Sequence, residues 1–148
     1  MPSRGFTLLE LLVVVTIVAA ASAGVVLALR DGTQTALDRD AQRLAVLLES
    51  ARAQSRATGV AVRWQPADAG FRFDGLSSAT LPTRWLSEST RVVGTVSLQL
   101  GPEPMIGAQA VELIDAGQPV NAQSASVRIA SDGLRPFAVQ PTRPGSAP

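Results

Sequence analysis

The group in this chain with the clearest chemical problem is the carboxylate of Glu10, which stands at the head of a long apolar run. Leu11 to Leu29 is 19 residues without a charge, about 28 Å of helix at 1.5 Å per residue. The hydrocarbon core of a bilayer is about 30 Å thick. A carboxylate drawn into that hydrocarbon costs about 2.5–3.5 kcal/mol on insertion scales. Glu10 therefore needs the polar boundary or, once buried, a cationic partner. Thr16, Ser22 and the small residues Ala19, Ala20, Ala21, Ala23 and Gly24 do not interrupt the run.

Little else in the chain is equipped for catalysis. All 13 cations are Arg, and His and Cys are absent. The usual nucleophile–base pairs and transition-metal sites are therefore missing. Asp38 and Asp40 are two apart in a predicted helix and point about 160° away from each other. The other acids are scattered. The expectation is a protein that is not an enzyme and carries no cofactor and no metal.

Composition sets the frame. The chain's 148 residues leave room, after an apolar segment, for one modest domain. Without Cys, no disulfide framework holds it. Thirteen Arg stand against twelve acids, and a chain so near neutrality exerts no general pull on nucleic acid or anionic lipid. Arg4 ahead of the run, with Arg30 offset by Asp31 behind it, favours an inside N-terminus.

The elements that must position Glu10 follow from periodicity. A helix is predicted from Phe6 to about Thr58, apolar all round in its first half and loosened near Arg30–Thr33. In its second half Leu37, Ala41, Leu44, Leu48, Ala51 and Ser55 recur at spacings of four and three, one face of a helix. Arg39, Asp40 and Arg43 lie off that face, and Glu49–Arg52 has i,i+3 geometry worth a few tenths of a kcal/mol. Gly59 is the stop. Beyond it the period changes to two. Val60–Gln65 and Phe71–Phe73 form a hairpin across Pro66–Gly70. Leu81–Leu86, Val92–Leu100, Ala110–Ile114, Val127–Ala130 and Phe137–Val139 are further strands, with a loop at Gly101–Pro104 and a turn at Ser131–Gly133. Residues 141–148 read as a tail. Trp64, Phe71, Phe73 and Trp85 are expected to pack in the core or on strand faces. The fold class is α+β, with the amphipathic half-helix covering an antiparallel sheet.

The string Gly5-Phe6-Thr7-Leu8-Leu9-Glu10-Leu11-Leu12 resembles the leader of type IV pilins and type II secretion pseudopilins. The resemblance implies a leader at residues 1–5, cleavage after Gly5 by prepilin peptidase, and N-methylation of Phe6. Glu10 becomes the fifth mature residue, paired in the assembled fibre with the N-terminal amine of Phe6. Asp38–Leu44, the Ala/Arg-rich Leu47–Gly59 and the Val62-Arg63-Trp64 that follows are similar to minor pseudopilin H, as is Ile129–Gly133. That family implies a pilin-like fold, a long N-terminal helix on antiparallel β-sheets. It implies an inner-membrane segment at 6–29 in a single pass and a periplasmic domain at 30–140, with the amphipathic helix at 35–58. It also implies assembly with other pseudopilins, with the secretin and secreted proteins as further partners. The major pseudopilin carries a C-terminal acidic calcium loop. Here only Asp115 and Asp132 follow Glu112, too few for six to eight oxygens.

Two alternatives share the same residues. In an ordinary secretory signal, Arg4 would be the basic region, Leu11–Ala20 the apolar one and Ala21-Ser22-Ala23 the cleavage site, which leaves Glu10 unexplained. In a minor type IV pilin that takes up DNA, cations would have to cluster. Arg39 and Arg43 lie on one side of the helix and Arg52 and Arg56 near the other. Arg128, Arg135 and Arg143 read as solvated strand and tail residues, so nucleic acid is not expected as a partner.

Overall fold

A computed structural model describes residues 7–77, 81–117 and 126–141, with the backbone alone at 23–31, 33 and 141. The chain divides into two units, Met1–Gln34 and Thr35–Pro148. One helix, α1 (Leu8–Thr58, 51 residues), supplies backbone to both. The expected loosening at Arg30–Thr33 does not occur. A single internal Gly such as Gly32 costs about 1 kcal/mol, too little to break a hydrogen-bond ladder continuous on both sides. The helix ends where Gly59 adopts φ 70°, the left-handed conformation that closes helices readily when the residue lacks a Cβ.

The second unit is α+β. The predicted helix face is buried: Leu37, Ala41, Leu44, Leu48, Ala51 and Ser55 each have 1% exposure or less. Against it lie two antiparallel sheets. The first has the order β2-β1-β4, with β1 at Arg63–Ala67, β2 at Gly70–Asp74 and β4 at Leu98–Gln99. The second has the order β3-β5-β6-β7, with β3 at Thr90–Val92, β5 at Gln109–Asp115, β6 at Ser126–Ser131 and β7 at Ala138–Pro141. Alternation on β5 and β6 turns Val111, Leu113, Val127 and Ile129 inward to complete the core with Leu98, Leu100 and Phe137. Trp64 and Phe71 are buried, and Phe71 meets Trp85 and Phe73 edge-on at 4.6 and 5.8 Å between ring centroids. These aromatics pack the fold, as expected from the sequence.

Several strands differ from expectation. The first hairpin is shifted toward the C-terminus, and Pro66 sits within β1 opposite Phe71. It is tolerated because β4 pairs only with Arg63 and Trp64, leaving Pro66 on an edge. Leu81–Leu86 forms no strand; Arg84 makes one isolated bridge to Gly70. The run Val92–Leu100 is cut at Gly94, which adopts φ 70°, so its ends, β3 and β4, belong to different sheets. The amide of Gln109 spans the gap. Its Oε1 accepts from the Gln99 N–H at 2.7 Å and its Nε2 donates to the Gln99 carbonyl at 2.8 Å. The tail at 142–148 lies outside the described residues.

Two polar residues outside the predicted apolar face are nevertheless buried. Asp40 is 1% exposed. Its carboxylate accepts the backbone N–H groups of Leu86 and Ser87 at 2.7 and 3.1 Å and the Thr90 hydroxyl at 2.7 Å. Arg52 is 3% exposed and donates to the Gly133 carbonyl at 2.7 Å. Its contact with Glu49 is 3.7 Å, and Glu49 itself accepts the Phe137 N–H at 2.9 Å. The pair is part of the tertiary structure rather than a solvated ornament. Period alone misplaces both residues, because the loops over them bring backbone donors and acceptors into the core.

Candidate functional site

The candidate site is the head of α1. Thr7 is the N-cap: its Oγ1 accepts the backbone N–H of Glu10 at 3.2 Å, and its carbonyl accepts from the Leu11 N–H. Thr7-Leu8-Leu9-Glu10 is therefore a T-x-x-E capping sequence, a signal present in the chain that the sequence reading overlooked. The cap fixes where the helix starts and holds Glu10 in its first turn, where a carboxylate gains about 0.3–1 kcal/mol from the helix dipole. Glu10 thus has a structural reason to be here. Its side chain is exposed. Gly5 and Phe6, the expected cleavage and methylation positions, lie outside the described residues.

Behind Glu10 the helix is apolar on every side. The nine large aliphatic residues from Leu8 to Val18 are each at least 45% exposed. Burying nine such side chains is worth on the order of 20 kcal/mol at about 1.5–3 kcal/mol each. The polar side chains in this stretch are satisfied internally. Thr16 Oγ1 donates to the Leu12 carbonyl at 2.7 Å and Ser22 Oγ to the Val18 carbonyl at 2.8 Å. That back-bonding lets hydroxyls sit among apolar neighbours without an orphaned donor. Among the described residues no helix is long and apolar enough to cross a membrane. The side chains of the run Leu11–Leu29 are described only as far as Ser22.

The other residues weighed from sequence are not drawn into a second site. Asp115 is buried and accepts the Gly117 N–H. Asp132 accepts the N–H groups of Leu134 and Arg135 at 2.9 and 2.7 Å. Those two bonds hold its carboxyl below the usual carboxylate range, helped by the nearby Arg135 charge. Of the arginines considered for phosphate, Arg52 is buried and Arg43 donates to the Arg84 carbonyl. Arg39, Arg56 and Arg128 are exposed, and Arg143 lies outside the described residues.

Comparison with known families agrees with this geometry at the N-terminus. The prokaryotic N-terminal methylation motif matches residues 1–26, a span that contains Gly5, Phe6, the Thr7 cap and Glu10. The motif indicates a pilin-like or pseudopilin subunit, processed by prepilin peptidase and built into a pilus-like fibre. No curated protein and no solved structure matches the chain.

Proposed function

We propose that this chain is a structural minor pseudopilin of a type II secretion pseudopilus, helping folded proteins cross the outer membrane. The observation that carries the reading is the exposed aliphatic sleeve from Leu8 to Val18, headed by the single carboxylate of Glu10, inside a methylation motif. In this reading prepilin peptidase removes Met1–Gly5 and Phe6 is N-methylated. Residues 6–29 then hold the subunit in the inner membrane in a single pass, with the domain from residue 30 in the periplasm. Glu10 stays solvated at the polar boundary while the subunit waits. When the sleeve packs among neighbouring helices, its charge is balanced by the amine of a neighbour's Phe6, since a buried carboxylate without a cation is strongly disfavoured. The subunit works by assembly, with no catalysis and no cofactor. The helix stretch Leu47–Gly59, similar to minor pseudopilin H, supports the subtype.

A minor type IV pilin is the second reading, because the motif at 1–26 serves both kinds of fibre. Mass spectrometry of the N-terminal peptide tests the shared part. A methylated Phe6 start is expected, and a start at Gly24 would establish a secretory signal instead. Deleting the gene in its host, with exoprotein export and surface pili measured in parallel, separates the two fibres. Loss of export with pili intact is the expected result.

A further inference from the structure

The two sheets have four outer edges, and the chain covers three of them itself. β2 is met by the segment before Trp85, where the Phe71 N–H donates to the Thr83 carbonyl at 2.8 Å and Gly70 bridges to Arg84. β4 is closed by the Gln109 amide on the Gln99 N–H and carbonyl. At β3 the Arg91 guanidinium folds back onto the carbonyls of Glu88 and Thr90 at 2.7 and 2.8 Å. Such devices keep strand edges from pairing with other chains. Among the described residues nothing pairs with the outer side of β7, and Ala138-Val139-Gln140 carries no charge to repel a strand.

Beside that edge runs a groove of about 580 Å³ between α1 and the entry to β7, lined by Val46, Glu49, Ser50, Ala53, Arg56 and Phe137 among others; the Glu49 carboxylate is already engaged by Arg52 and the Phe137 N–H. Val46 is 66% exposed at its side. Across the sheet, the buried row Val111–Ile129 continues to a half-buried Val139 packed against the core, which leaves part of its side chain open at the edge. Arg56 is exposed and has no ion pair among the described residues.

We propose that the outer edge of β7, with this groove, accepts an added strand from another protein. The occupant is an extended segment with apolar side chains at alternate positions and a carboxylate placed to meet Arg56. Its backbone pairs with β7, its inward side chains cover the exposed Val46 and Ala53, and it extends the apolar row past Val139. Strand addition of this kind draws affinity from main-chain hydrogen bonds and specificity from alternate side chains. The inference uses only residues of the second unit and does not depend on which fibre the subunit joins.

The test uses the full chain in detergent micelles and two acetylated synthetic peptides, Thr-Val-Thr-Val-Thr-Val-Glu and its Gln-ended counterpart, read by amide hydrogen exchange. The Glu peptide is expected to slow exchange at least tenfold at the β7 amides that point away from β6, an alternate set within Ala138–Gln140, the Gln peptide less. Ala53→Glu, which fills the groove and sets a carboxylate i,i+3 from Arg56, should melt normally and lose the effect. The proposal is overturned by no protection at β7, by equal protection at β2 or β3, or by protection that survives Ala53→Glu. It is also overturned if the free protein already pairs β7 in a concentration-dependent dimer. The same holds if the effect emerges only after residues 142–148 are deleted, which would make the tail the occupant.

Discussion

The Arg52 guanidinium lies 2.7 Å from the carbonyl oxygen of Gly133, a residue 81 positions later in the chain, and the contact is buried. It binds the C-terminal end of α1 to the turn between β6 and β7. Arg52→Ala removes a charge-assisted hydrogen bond and leaves the Gly133 carbonyl without its donor. Such losses cost about 1.5–3 kcal/mol, measurable as a lower denaturant midpoint with an unchanged slope. Arg52→Lys should recover little, because an ammonium offers a point charge in place of the planar fork.

Asp40 makes the complementary contact with the loop before β3. Asp40→Ala strands two backbone N–H groups and the Thr90 hydroxyl, each worth about 1–3 kcal/mol if left unpaired. The expected loss is at least about 3 kcal/mol, larger than for Arg52→Ala. Amide exchange should show Leu86 and Ser87 losing protection before the strands do. Equal protection in the variant and the parent would mean the loop holds itself.

Gly133 adopts φ 91°, and a Cβ built on it would lie 1.8 Å from the Ile106 carbonyl oxygen. Gly133→Ala therefore combines backbone strain of about 1–3 kcal/mol with a clash against main chain that cannot swing away. Thermal unfolding should show a clear loss, and none for Gly32→Ala, where the added Cβ meets nothing within 4 Å and Ala favours the helix.

The same turn responds to acid. The Asp132 carboxyl is held below its ordinary value by the N–H groups of Arg135 and Leu134. Its folded-state pKa lies below the unfolded one, so its contribution is complete above the unfolded value. It is lost as pH falls through the folded value, a window below about pH 4. Asp132→Asn should flatten that part of the stability–pH profile and leave the neutral region nearly unchanged.

At the N-terminus, Gly5→Ala should leave the leader attached, seen as an unshifted mass. Glu10→Ala should be processed normally yet enter fibres poorly, whereas Thr7→Val should cost about 1 kcal/mol of helix capping without blocking cleavage. Normal incorporation of Glu10→Ala would show the amine pairing to be dispensable.

Where a single periodicity ruled, the sequence was a good guide. The helix face from Leu37 to Ser55, the β5–β6 ladder and the aromatic cluster all follow from period and side-chain type. The failures share a cause: long-range backbone contacts that leave no mark on local spacing. Asp40 and Arg52 are recruited by loops 46 and 81 residues away. Leu81–Leu86 has the composition of a strand and finds only one bridging partner. At the candidate site, Glu10 was conspicuous because a charge interrupts an apolar pattern. Thr7 was missed because its signal, a hydroxyl three residues before a carboxylate, is short and common.

Asp40 and Arg52 are twelve residues apart on α1, about 18 Å at 1.5 Å per residue. They grip opposite borders of the four-stranded sheet, one at the approach to β3 and the other at the approach to β7. Sliding this part of the helix along the sheet would therefore strain both moorings at once, in shear, instead of peeling them one by one.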